Sequence, residues 1–216
     1  MDKRVSIHTN RSLEHQVRVA NSINDGFKRL GYKSQITENT SDDSDIHVVI
    51  GPHYAKQQNL NNRTLLLDRA FWGDPDYISL GWMQPDGGRV FAVNCPDDRP
   101  KPDLMPMKKG TRTLLLLDYG SVQTIEANEV RRHPSDAKPV EALREALSRN
   151  DIAVGGMTTA LVDAAIHGLY TVALDPNSPI KGIEYYGREQ WLNNLSYMNW
   201  NDTELRSGEA LKHLCL

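Results

Sequence analysis

The sequence predicts an α/β protein built as two small lobes that face a cleft. Short, continuous apolar runs, such as residues 45–50 and 111–117, have the pattern of strands buried on both faces of a parallel sheet. Between these runs, apolar residues recur every three to four positions, the period of an amphipathic helix. The strand–helix rhythm fills the first 70 residues, breaks at a proline-bearing stretch near residue 100, and then restarts.

In the first lobe, residues 1–93, a strand at residues 4–9 precedes Asn10-Arg11-Ser12, where Ser12 is the expected helix N-cap. Val17, Ala20, Ile23, Phe27 and Leu30 mark the buried face of the helix, and Gly31 is its expected stop. Strands follow at 33–37, 45–50 and 64–68, with an acidic, serine-rich loop at 38–44. Residues 77–82 and 89–93 flank Pro85-Asp86-Gly87-Gly88 and read as a β-hairpin. Residues 94–110, with Pro96, Pro100, Pro102 and Pro106, read as a linker.

The second lobe, residues 111–187, restarts with strands at 111–117 and 124–132 and a helix at 139–149. A strand at 151–154 ends in Gly155-Gly156, a helix spans 158–168, and a strand covers 170–175. Residues 188–216 read as closing amphipathic helices, over 188–199 and 203–214. Together the halves describe two Rossmann-like units.

Gly 15 and Pro 11 in 216 residues, with abundant aliphatic runs, exclude collagen-like and disordered chains. No run approaches the ~18 apolar residues of a spanning helix, and no signal peptide is visible, so no membrane partner is expected. Two cysteines make neither a disulfide framework nor a metal knuckle, and a reducing cytoplasm is the expected location. A net charge of −3 restricts any nucleic-acid contact to a local surface.

Ligands of open α/β sheets sit beyond the carboxyl ends of the strands. Such positions are His8 to Ser12, Gly51 to Tyr54, Asp68 to Asp74, Asp118 to Ser121, Arg131 to Lys138, Gly155 to Thr159, and Asp175 to Ser178. The turn Gly155-Gly156-Met157-Thr158-Thr159 allows close backbone approach at Gly156 and offers two hydroxyls at a helix start. That pattern suits a phosphate, and equally a simple helix cap. It is neither a Walker loop nor GxGxxG. Arg131, Arg132 and Lys138 surround His133-Pro134 and suit a diphosphate, or else form a solvated basic turn. Tyr119, Gly120 and Lys138 are the candidate nucleotide contacts. Arg99, Lys101, Lys108, Lys109 and Arg112 form a basic cluster around the linker, either a solubilising loop or a strip for a polyanion.

The strand ending in His133-Pro134, and the paired Thr158-Thr159 opening a helix that reads ALVDAAIHGLYTVALD, resemble the C-terminal lobe of GT-B glycosyltransferases of the capsule-polysaccharide (Kdo) transferase and bacterial sialyltransferase type. The tail from Arg188-Glu189-Gln190-Trp191 through Trp200-Asn201, and Leu67-Asp68-Arg69-Ala70-Phe71-Trp72-Gly73-Asp74, also resemble small GT-B-like proteins of bacteriophages. The resemblance implies a metal-independent transferase using a nucleotide-sugar as donor substrate, with no cofactor. It implies that His133, Thr158 and Thr159 hold the donor phosphate. An implied acceptor is a hydroxylated base in phage DNA, with a surface glycan as the rival.

Inverting transfer needs a base for the acceptor hydroxyl. Asp68, His53 and Asp74 are the candidates, although Asp68 could equally pair with Arg69 and His53 start a helix. Arg11, Arg69, Trp72 and Trp82 are the expected acceptor-side contacts, the tryptophans by stacking. Typical GT-B chains are nearly twice as long, and the family's acidic base motif has no clean match here. A GT-B-derived binding protein without catalysis is therefore the alternative. A sugar-nucleotide epimerase, sharing the architecture, would need carboxylates around the donor sugar.

Overall fold

The computed structural model describes residues 3–10, 12–38, 43–51, 63–73, 75–84, 89–118, 125–135 and 141–214. The chain forms two compact units, one of Met1–Arg99 with Asn194–Leu216 and one of Pro100–Asn193. Both are mixed α/β.

In the first unit, strand β1 (Arg4–His8) is buried from Val5 onward. Helix α1 (Glu14–Arg29) packs Val19, Ala20, Ile23 and Phe27 inward, and Gly31 at φ 84° ends it as predicted. Its start differs by one residue, because Leu13 is the N-cap. The Ser12 hydroxyl instead donates to Asn10 Oδ1 at 2.7 Å, closing the turn ahead of the helix. β2 (Lys33–Thr37), β3 (Ile46–Ile50) and β4 (Arg63–Arg69) complete a parallel set in which Ser6 of β1 lies opposite both Gln35 and His47. β5 (Tyr77–Trp82) runs antiparallel to β4, with Leu67 opposite Leu80.

Only the first arm of the predicted hairpin is a strand. Beyond it there is a single bridge, Met83 to Arg89, and residues 90–93 are irregular. The reason lies at the far end of the chain, where another strand takes the free edge of β5.

In the second unit, residues 100–112 have no regular structure but are held. Lys108 Nζ donates to the carbonyls of Leu147, Ser148 and Asn150 at 2.7, 2.9 and 2.8 Å. These are the orphan acceptors at the end of helix α2 (Leu143–Arg149), where a cation also meets the negative end of the dipole. β6 (Thr113–Leu116), β7 (Glu129–Arg131), β8 (Ile152–Gly155) and β9 (Tyr170–Ala173) form an all-parallel sheet, with helix α3 (Ala160–Ile166) between the last two in sequence.

The chain returns through helix α4 (Gly182–Ser196), which Gly187 interrupts at φ 73°. The predicted closing helix over 188–199 stops early, and Asn199–Asn201 forms β10, antiparallel to β5 with Trp200 opposite Ile78. The Asn201 and Glu204 side chains make a capping box for α5 (Asp202–Ser207), and α6 (Glu209–Lys212) follows.

The sheets run β10-β5-β4-β3-β1-β2 and β7-β6-β8-β9. In each unit the four parallel strands stand in the relative order second, first, third, fourth. Each sheet thus has one point where the strand order reverses, between β1 and β3 and between β6 and β8. The first core gathers Val5, Ile7, Ile23, Phe27, Val48, Leu65, Leu80 and Trp200, all at 0% exposure. In the second unit Leu114, Ala153, Leu161, Val162 and Trp191 are buried. Among the described residues, no helix is long and apolar enough to cross a membrane.

Candidate functional site

The ends of all four strands of the second sheet contribute to one cluster around Asp118. Asp118 follows β6, and its Oδ2 accepts the Met157 N–H, just past β8, at 3.0 Å. That bond spans the point where the strand order reverses. A Cβ at Gly156 would meet the same carboxylate oxygen, so a larger residue there would displace the Asp118 side chain. Burial pushes the Asp118 carboxyl above the usual carboxylate range; the Met157 N–H opposes the rise, Asp175 beyond β9 adds to it, and His133 beyond β7 offsets it.

His133 Nδ1 accepts the Ser135 N–H at 3.1 Å, so the neutral ring carries its proton on Nε2. Asp175 Oδ1 accepts the Asn177 N–H at 2.8 Å. Thr158 Oγ1 accepts the Ala160 N–H at 3.3 Å, which is the capping role the sequence allowed, and Thr159 is the N-cap residue without a side-chain bond. Helix α3 has only 7 residues, so its dipole is a smaller contributor than the sequence suggested. Arg131 turns both terminal nitrogens to the Glu141 carbonyl at 3.1 Å, and Arg132 is exposed. Tyr119, Gly120 and Lys138 lie outside the described residues.

In the first unit, Asp68 pairs with Arg89 at 3.4 Å, not with the Arg69 side chain. Its other oxygen accepts the Arg69 backbone N–H at 2.8 Å. Arg89, its side chain 10% exposed, donates to Ser79 Oγ at 2.7 Å and lies 5.9 Å from the Phe71 ring centroid. Trp72 follows the carboxyl end of β4, where its carbonyl accepts from Asn199 at 3.1 Å. Trp82 lies opposite Leu65, near the start of β4, and its indole N–H donates to the Leu214 carbonyl at 3.0 Å. The two tryptophans are therefore at opposite ends of one strand and do not form a joint stacking surface. Trp82 instead lines a cavity of about 820 Å³ with Met83, Val90, Tyr197, Met198 and His213. Arg11, His53 and Asp74 lie outside the described residues.

Two of the five side chains of the basic cluster serve the fold, Lys108 at the end of α2 and Arg99 against Trp200, while the exposed Arg112 guanidinium reaches Glu129 at 4.0 Å. Asp118 and Asp175 both fall among the strand-end positions that the sequence points to, though it assigns neither a role; each is the first polar residue after an apolar strand, in LLLLD and VALD. That pattern places a carboxylate at the ligand-facing edge of a parallel sheet. Among the described residues, no group of three or more His, Cys, Asp or Glu is arranged to hold a metal ion. No family model and no curated protein matches the sequence.

Proposed function

We propose that this chain is a small glycosyltransferase of the GT-B type, taking a nucleotide-sugar donor at the carboxyl edge of its second sheet and an acceptor on its first unit. The observation that carries this reading is the gathering of His133 and the Gly156–Met157 turn around one switch point, with Thr158 and Thr159 next in the chain. In this reading the Nε2–H of His133 donates to a phosphate oxygen as the sugar leaves, and the threonine hydroxyls supply further donors. The glycine turn lets a phosphate approach the backbone. The acceptor is a hydroxyl-bearing substrate, a hydroxylated DNA base or a glycan.

A second reading is a nucleotide-sugar-binding protein without turnover. It is favoured by the Asp68 carboxylate, the one described candidate base, being already engaged by Arg89. Incubation with UDP-, GDP- and CMP-sugars, with and without acceptors, separates the two. The expected result is donor turnover that His133→Ala lowers about 100-fold, with a comparable loss in the Thr158→Ala/Thr159→Ala double variant. Binding without turnover under any acceptor leaves the second reading. Absence of any nucleotide-sugar binding overturns both.

A further inference from the structure

The carboxylate of Asp118 sits where a donor phosphate would find its backbone partner. Its Oδ2 accepts the Met157 N–H at 3.0 Å and lies against Gly156, where a Cβ would meet it. A phosphate and an ionised carboxylate cannot share one N–H, and their charges repel across a half-buried site. We propose that Asp118 is a proton-coupled latch on the donor site: its carboxylate closes the Met157 N–H, and an incoming phosphate releases it by drawing a proton onto Asp118. This inference rests on the donor-site reading above and adds the control of that site.

The surroundings fit a group that takes a proton on binding. From the β8 end, the Met157 N–H favours the charged form, and His133 from the β7 end does the same. Burial and Asp175, from the β9 end, favour the neutral form, and the net shift is upward. A bound phosphate adds a further negative charge to that side of the balance. Once protonated, the carboxyl becomes an O–H donor that can face a phosphate oxygen. The covalent balance is simple, one proton taken from solvent on binding and returned on release.

The sign follows from linkage. A ligand that raises the Asp118 pKa is bound with proton uptake, so its affinity falls as pH rises, by up to about tenfold per unit between the free and bound values. His133 acts in the same direction, since its imidazolium also attracts phosphate, so the comparison has to isolate Asp118.

Dissociation constants for UDP-glucose, GDP-mannose and CMP-sialic acid, whose phosphodiesters stay ionised between pH 5 and 8, provide the test. Asp118→Asn keeps an acceptor for Met157 but carries no charge. It is expected to bind about tenfold more tightly than wild type at pH 8, to lose that advantage as pH falls, and to show a shallower pH slope. A variant that binds more weakly by one factor at every pH, or that keeps the wild-type slope, overturns the latch while leaving the donor site intact. Calorimetry of the wild-type chain in two buffers of different ionisation enthalpy is independent of the variant's folding. Net proton uptake that persists in His133→Gln is expected, and zero uptake overturns the proposal. Failure of the wild-type chain to bind any of the three overturns the donor site and the latch together.

Discussion

The Arg99 guanidinium, with its side chain only 10% exposed, donates from Nε to the Ser196 carbonyl at 2.8 Å and from one terminal nitrogen to the Asn199 carbonyl at 2.9 Å. It pairs with Glu204 at 3.1 Å and lies 3.6 Å from the Trp200 ring centroid. Removing it strands two carbonyls and a carboxylate that also caps α5. Arg99→Ala should cost about 3 kcal/mol in thermal unfolding. Arg99→Lys should recover less than half of that loss, since an ammonium cannot make the planar fork. Nothing in the sequence separates this arginine from Lys101 or Lys109, because its partners lie about a hundred positions away. Asp118 makes the matching pH argument. Its folded carboxyl is raised above the unfolded value of about 3.9, so the folded state binds the proton more tightly. Its contribution is favourable below the unfolded value and is lost as pH rises through the folded one. Asp118→Asn should therefore flatten the fall in unfolding free energy from about pH 4 upward, a difference that denaturant titrations at several pH values measure.

Helix α1 and the tail helix α5 meet so closely that a Cβ on Gly26 would strike the Leu205 carbonyl oxygen. Two effects compete at that position. Alanine is favoured over glycine within a helix by about 1 kcal/mol, whereas overpacking against backbone costs about 1–3 kcal/mol. Backbone cannot rotate aside, so packing wins, and Gly26→Ala should lower the melting temperature, whereas the same change in an exposed helix would raise it. The element-level reading of the sequence succeeds and fails for similarly concrete reasons. β3, β4, β6 and β8 were visible because strands buried on both faces carry apolar runs. β10 was hidden because three residues, Asn199–Asn201, carry no period, and the helical pattern of α4 runs straight into them. The missing hairpin arm is the same error seen from the other side, since the sequence cannot reveal that a distant segment has taken the β5 edge. At the site, the glycine turn and the His-Pro strand end were legible as local motifs. Asp118 was legible as a strand-end position, but its bond to Met157 was not, because that bond depends on β6 and β8 being adjacent.

At the scale of the molecule, the chain leaves the first unit after Arg99 and re-enters it at Asn194, so that unit is assembled from both ends of the sequence. The last 23 residues are not an appendage. Trp200, Leu205, Ala210 and Leu211 are at most 1% exposed within the first core, and Asn199 pairs with Ser79 of β5. Burying the large apolar side chains among them stabilises by about 1.5–3 kcal/mol each. Their combined loss is comparable with the whole stability of a typical domain, about 5–15 kcal/mol. The second unit contains its own four-stranded sheet and its own buried residues. A chain cut after Asn193 should therefore lose amide-exchange protection throughout β1, β3, β4 and β5 while keeping it in β6 and β8. Residues 100–193 produced alone should still unfold cooperatively. A peptide of residues 194–216 added to the cut chain should restore protection to β5 first, because β10 pairs there directly. If the cut chain keeps full protection in β3 and β4, the first unit does not depend on its returning segment, and the 188–216 stretch is the mere closing element that its helical periodicity suggested.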